Sequence, residues 1–159
     1  MSEIGPVSRA LGVHHDDINA VDWSEKNPNL VVTGSNDNRV CLLDIRKLSD
    51  SSSASGGQSA VINVFKGHTE PIQSVQFSPF SSRFLASSAE SLKIWDLQAT
   101  STDDQLYFDH IGHINKITNF SWNKESDWTI MSASDDFDEA TAGCSLQIYR
   151  PVDLLVKDK

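Results

Sequence analysis

One seven-residue pattern recurs three times along this chain and limits its fold more than any other feature. Ile18-Asn-Ala-Val21-Asp-Trp23-Ser24, Ile72-Gln-Ser-Val75-Gln-Phe77-Ser78 and Ile117-Thr-Asn-Phe120-Ser-Trp122-Asn123 carry apolar side chains at the same three positions. A histidine stands four residues ahead of each copy, at His14, His68 and His113, and the last two follow Gly67 and Gly112. His68 lies 54 positions after His14, and His113 another 45. A chain that repeats in this way builds one supersecondary unit several times over.

Each copy continues alike. A second apolar run closes on a polar turn at residues 30–35, 84–88 and 128–134. A third run ends on a fixed dipeptide position, at Leu43-Asp44, Trp95-Asp96 and Tyr149-Arg150. Short β-branched and aromatic runs broken by Gly, Asn, Asp and Ser predict strands throughout. Fourth strands are expected at residues 60–65 and 105–108, and a strand within residues 1–11 reads as the outermost strand of a preceding unit. Helical periodicity is lacking, and residues 152–157, in the tail at 152–159, are the one place where a helix can begin. The units are therefore residues 12–66, 67–109 and 110–151. Their spacing is that of four-stranded propeller blades, which repeat every ~40–45 residues. The first unit is longer because residues 49–59, SDSSSASGGQS, are too polar to bury and read as a solvated loop.

At 38% hydrophobic content the chain can build a core. With 22 acidic against 13 basic residues its formal charge is -9, which repels phosphate backbones and favours cationic partners. Direct nucleic-acid binding is not expected. The start MSEIGPVSRA lacks the apolar stretch of a secretory signal, and no apolar run approaches the length of a membrane span. Cys41 and Cys144 have no CxxC spacing, which fits a reducing compartment. His14-His15-Asp16-Asp17 is a poor metal cluster, because neighbours on extended chain point to opposite sides. SDDFDE at residues 134–139 lacks the Gly and terminal Glu of a calcium loop, so no metal is expected. Asn119-Phe-Ser121 matches a glycosylation pattern inside a strand expected to be buried. Neither a nucleophile elbow nor a P-loop is present, so the chain reads as non-enzymatic and free of cofactors.

The Gly-His pair, the strand ending near Ser78-Pro79 and the Trp95-Asp96 terminus resemble WD repeats, the blades of β-propellers, from about residue 11 to residue 151. The expected fold is all-β, a partial WD40 propeller of three four-stranded antiparallel blades. In such blades the resemblance implies that the histidine is linked by hydrogen bonds to an Asp in the turn before the third strand, to a Ser or Thr, and to the Trp indole. The expected networks are His14 with Ser35 and Asp37, Leu43 replacing the Trp; His68 with Ser87 or Ser88, Glu90 and Trp95; and His113 with Ser134 and Asp135 or Asp136, Tyr149 replacing the Trp. On this reading the histidines are core staples.

A finer resemblance, to the retinoblastoma-associated, MSI-type histone-binding family, rests on His110-Ile-Gly-His113 through Trp122-Asn123 and on Asp127-Trp128 through Asp136. The insertion at 137–144 and the ending Pro151-Val-Asp-Leu-Leu155 are similar to its plant FVE-like branch. The phrase Thr33-Gly-Ser35-Asn-Asp37-Asn and the order of units match blades five, six and seven of a seven-bladed ring. Three units are fewer than such a ring needs, so the sequence reads as part of one, a truncated product or an isoform. The resemblance implies a nuclear scaffold that binds histone tails on the ring's narrow face within deacetylase, Polycomb-type or histone-chaperone complexes. Transcriptional repression and flowering-time control follow from the plant branch.

The loops of that face read Asp16, Asp17, Asp37, Glu70, Glu90, Asp135 and Asp136, followed by Asp138 and Glu139, against Arg39 and Lys116. Such a rim attracts Lys- and Arg-rich tails, although acidic loops also serve solubility. By motif position Asn19, Gln73, Lys116 and Asp135 are the direct contacts, with Pro71 and Gln73 standing where animal members carry acidic and aromatic residues. The family's second groove for a histone helix is not expected here. Its sixth-blade loop is reduced to residues 99–105, with Asp103 and Asp104 its acids and Phe108 as a remnant wall. A rival reading takes Leu43-Asp44-Ile45-Arg46 as similar to the Trp-Asp-x-Arg box that docks some WD proteins to the damaged-DNA-binding adaptor of cullin ubiquitin ligases. There Asp44 and Arg46 would be the docking residues.

Overall fold

A computed structural model describes residues 10–48, 60–135 and 144–151. Eleven strands run through them, and all pairings are antiparallel. The first sheet holds β1 (Ile18–Trp23), β2 (Leu30–Ser35), β3 (Arg39–Asp44) and β4 (Val61–Lys66) in that spatial order. The second holds β5 (Ser74–Phe77), β6 (Phe84–Ser88), β7 (Leu92–Asp96) and β8 (Leu106–His110). The third holds β9 (Ile117–Trp122), β10 (Ile130–Ser134) and β11 (Ser145–Tyr149). It has three strands among the described residues, where four were expected. The outer strand expected within residues 1–11, the serine-rich loop, most of the acidic insertion and the tail helix lie at or beyond the edges of the described residues.

The sheets stack in sequence, β1 and β2 against β5, then β5 and β6 against β9. Two cores fill the gaps. Between the first pair sit Val32, Val40, Leu42, Phe65, Ile72, Val75, Phe77, Leu85 and Trp95. Between the second pair sit Phe84, Ile94, Ile117, Phe120, Trp122, Trp128 and Ile130. This stacking explains why β6 and β7 are buried along their whole length. A strand covered on both faces reads as a continuous apolar run, and one covered on a single face alternates. β11 alternates, and Ile18, Val21 and Trp23 of β1 face outward. Asn119, expected inside the core, is exposed on the open face of β9.

The stack is close enough to require a glycine. A Cβ on Gly34 would overlap the Ile72 side chain and stand 3.0 Å from Val75 Cγ1. The inner edge strands leave backbone N–H groups that the neighbouring sheet must satisfy. Asp22 accepts from the Phe77 N–H at 2.7 Å. Gln76 repeats this one sheet on, donating to Phe120 O at 3.0 Å and accepting from the Trp122 N–H at 3.4 Å. Backbone bonds from Ile72 N to Ser35 O and from Ile117 N to Ala89 O close the other end of each joint. Trp128 takes a left-handed backbone with φ 61°, held in place by Phe80 and Phe84, whose ring centroids lie 4.9 Å from its own.

Candidate partner-binding face

The three staples come first, because they hold the rim loops. His68 Nδ1 meets Glu90 Oε2 at 3.0 Å and its Nε2 meets Ser87 Oγ at 2.7 Å, while Trp95 Nε1 donates to the same Ser87 oxygen at 2.7 Å. Donor counting orients the chain of bonds: Trp95 N–H gives to Ser87, Ser87 O–H gives to His68 Nε2, and His68 Nδ1–H gives to the carboxylate. His14 repeats the geometry with Asp37 at 3.1 Å and Thr33 at 2.8 Å, so Thr33 takes the place expected of Ser35. Ser35 instead accepts from the Asp37 backbone N–H. His113 meets Ser132 at 2.7 Å and Ser145 at 2.7 Å, and Ser134 joins through Ser145 at 2.8 Å. Ser134 was expected to bond the ring itself. It stands two residues from Ser132 on the same side of β10 and is one hydroxyl removed. Asp136 lies outside the described residues.

Tyr149 stands in β11 where Trp95 stands in β7, and its ring stacks on His110 with centroids 3.9 Å apart. Burial pushes the phenol up to about 12, opposed by the nearby Ser132 hydroxyl. One regular signal marks the three hydroxyls, of which sequence reading missed Thr33 and Ser132 and left Ser87 beside Ser88. Thr33, Ser87 and Ser132 each stand 19 residues after their histidine.

The charges respond to these contacts. Burial would raise Asp37, yet the Arg39 guanidinium, the His15 N–H and His14 together hold its carboxyl far below the usual range. Burial lowers His14, with Asp37 opposing. Burial also opposes the ionised form of Glu90, but His68, its own backbone N–H and Lys93 pull it down to about 2. A group depressed in the folded state stabilises it above the unfolded value and loses that contribution as pH falls. The Glu90 share is therefore complete above its ordinary 4.5 and disappears toward pH 2. In urea titrations at a series of pH values, Glu90→Gln should lose the part of the acid limb that lies between these limits. An acid limb identical to that of the parent chain would refute the assignment.

With the staples formed, the remaining rim groups fall into two sets. Some are bonded within the fold. Asn19 donates to Asn36 at 2.7 Å and to Ile72 O at 3.0 Å, which ties the first sheet to the second. Gln73 donates to Pro71 O at 2.9 Å. Asp37 and Glu90 serve their histidines. Others present their side chains to solvent: Asp16, Asp17, Glu70, Lys116 and Asp135 are exposed. Between the second and third sheets, Glu70, Glu90, Lys116 and Asp135 line a groove of about 530 Å³, with Asn115 and the 84% exposed Ile114. An exposed isoleucine beside carboxylates suits a long cationic side chain, which can lay its methylene stem on apolar surface and its charge on oxygen.

At the far end of the strands, Asp44 caps the 3-10 turn Ile45–Lys47 and receives the Arg46 guanidinium as a fork, at 2.9 and 2.6 Å. The Arg46 fork holds Asp44 at about 2. Asp96 has the same partner type from another direction. Arg83, which the sequence reading did not single out, reaches it at 3.0 and 2.7 Å because β6–β7 pairing sets Phe84 opposite Asp96.

Residues 5–44 and 59–96 match the WD domain, G-beta repeat family. The chain is a WD40-repeat protein. The third WD40 unit lies beyond both matched stretches, yet its His113–Ser132 bond repeats the staple of the other two. Across most of its length this WD40 chain is similar to proteins of the MSI type. It is 38% identical over 162 aligned positions to WD-40 repeat-containing protein MSI4 of Arabidopsis thaliana, covering 96% of this chain and 31% of that protein. It is 35% identical to histone acetyltransferase type B subunit 2 of Debaryomyces hansenii, over 82% of this chain and 34% of that one. With histone-binding protein MSI1 of Saccharomyces cerevisiae it shares 24% identity over 90% of this chain. The chain spans about a third of the length of these relatives.

Proposed function

We propose that this WD40 segment is a non-catalytic scaffold of nuclear chromatin complexes and that its acidic face takes Lys- and Arg-rich histone tails. The groove between the second and third blades carries the reading, because it sets the Glu70, Glu90 and Asp135 carboxylates beside a bare Ile114. The names of two relatives support it, one a histone-binding protein and the other a histone acetyltransferase subunit. Deacetylase, Polycomb-type or chaperone assemblies acting in repression, including developmental control in plants, are the setting that fits.

Fluorescence anisotropy with labelled histone-tail peptides tests this. The chain should bind a Lys/Arg-rich tail more tightly than a charge-neutral scramble or a DNA oligomer, and binding should weaken with added salt. Reversing two rim charges in Glu70→Lys/Asp135→Lys should weaken capture roughly tenfold or more, since like charges set against the tail cost more than the lost attraction. Equal binding of the neutral peptide, or an unchanged affinity in the double variant, would remove the reading.

A further inference from the structure

The middle sheet buries a lysine that its two neighbours do without. Lys93 in β7 aligns with Cys41 in β3 and with Gln147 in β11. Those two side chains serve the staples. Cys41 Sγ lies 3.7 Å from Val13 O, and Gln147 donates to Gly112 O at 2.9 Å, in each case the carbonyl just ahead of the staple histidine. Lys93 passes the equivalent Gly67, where an added Cβ would stand 4.0 Å from its Cδ, and turns its ammonium on two carboxylates. Its Nζ meets Asp109 Oδ2 at 2.6 Å, because β7–β8 pairing sets the two residues opposite each other, and lies 3.6 Å from Glu90 Oε1. A lysine side chain only 7% exposed needs such partners.

Neutral side chains suffice at this position in the other two sheets, so what lysine adds is charge. That charge falls beside the acidic groove. Glu90 lines the groove with Glu70 and Asp135, yet both of its oxygens are engaged from within, one by His68 at 3.0 Å and the other by Lys93. A cationic side chain lying in the groove would share this carboxylate with Lys93, and like charges at such range oppose each other where water is scarce. The middle sheet has a neighbour on either side, so strands of this chain build the whole of this environment. We propose that Lys93 is a built-in competitor of the cationic partner: it weakens the hold of the groove on Lys- and Arg-rich chains, and Asp109 limits that effect by drawing the ammonium toward the outer strand. This inference rests on the reading of the groove as the partner site and adds what sets its strength.

Anisotropy titrations of the full chain at low salt, with a labelled histone-tail peptide and with labelled hexalysine, provide the test. Lys93→Met keeps the stem and removes the charge. It should tighten binding of both peptides by about threefold to tenfold, a gain that shrinks as salt is added. Lys93→Arg keeps the charge and should bind like the parent chain. Asp109→Asn, a change at the surface, leaves the ammonium to Glu90 alone and should weaken binding by about threefold. A packing role for Lys93 would not give opposite signs in the two variants. Should Lys93→Met fail to fold, Lys93→Gln brings in the residue of the third sheet, and Asp109→Asn decides in either case. Unchanged or weaker binding in Lys93→Met, or unchanged or tighter binding in Asp109→Asn, would overturn the proposal. A parent chain that binds neither peptide overturns it together with the reading of the groove. Hexalysine bound as tightly as the tail removes the histone reading alone and leaves the signs expected of the variants as they are.

Discussion

Trp95→Ala should lower the unfolding free energy by about 3–5 kcal/mol, the cost of emptying a fully packed aromatic site. The indole is 2% exposed and lies 5.4 Å from Phe65 and 6.0 Å from His68, ring centre to ring centre. Its removal empties the core between the first two sheets and leaves Ser87 without its donor. Trp95→Phe separates the two effects. It keeps most of the buried ring and loses one neutral hydrogen bond, a loss of about 0.5–1.5 kcal/mol. Urea midpoints of both variants measure this. If phenylalanine proves as damaging as alanine, the bond to Ser87 and not the packing dominates, and this account of the core is wrong.

Gly34→Ala should cost about 1–3 kcal/mol, a loss out of proportion to one methyl group. The added Cβ would press on Ile72 Cγ2 and stand 2.9 Å from Ile72 Cβ, so one sheet must move away from the other. Ile72→Ala removes the Cγ2 that meets it. In a double-mutant cycle by chemical denaturation, the combined loss should then fall short of the sum of the two single losses. Strict additivity would show that the distance between the sheets is not set by this contact.

Much of this was legible in the residues because blades repeat. Equal spacing from His14, His68 and His113 located the first strands, and Trp95-Asp96 located the end of a third. The same reading misplaced two hydroxyls for an identifiable reason. Thr33 and Ser35, like Ser132 and Ser134, stand two residues apart on a strand and point to the same side. Only the position of the ring along the strand chooses between them. Ser145 was missed because an insertion separates it from its repeat, and Arg83 because sheet pairing brings it to Asp96 from 13 residues away. On the rim, the acidic character was plain, and the expected pairings of Asp37 and Glu90 with histidines 23 and 22 residues earlier are the ones formed. The bonds that tie Asn19 to Asn36 and to Ile72 O were not legible, because they depend on how the sheets stack.

By itself the sequence determined that the chain is all-β, where its blades begin, and that its loops are acidic, because periodicity and composition act locally along the chain. The tertiary structure alone decided which apolar residues are core. Val21 and Val75 occupy equivalent strand positions, yet one is exposed and the other buried, since burial depends on whether a neighbouring sheet is present and a repeat pattern does not encode its own neighbours.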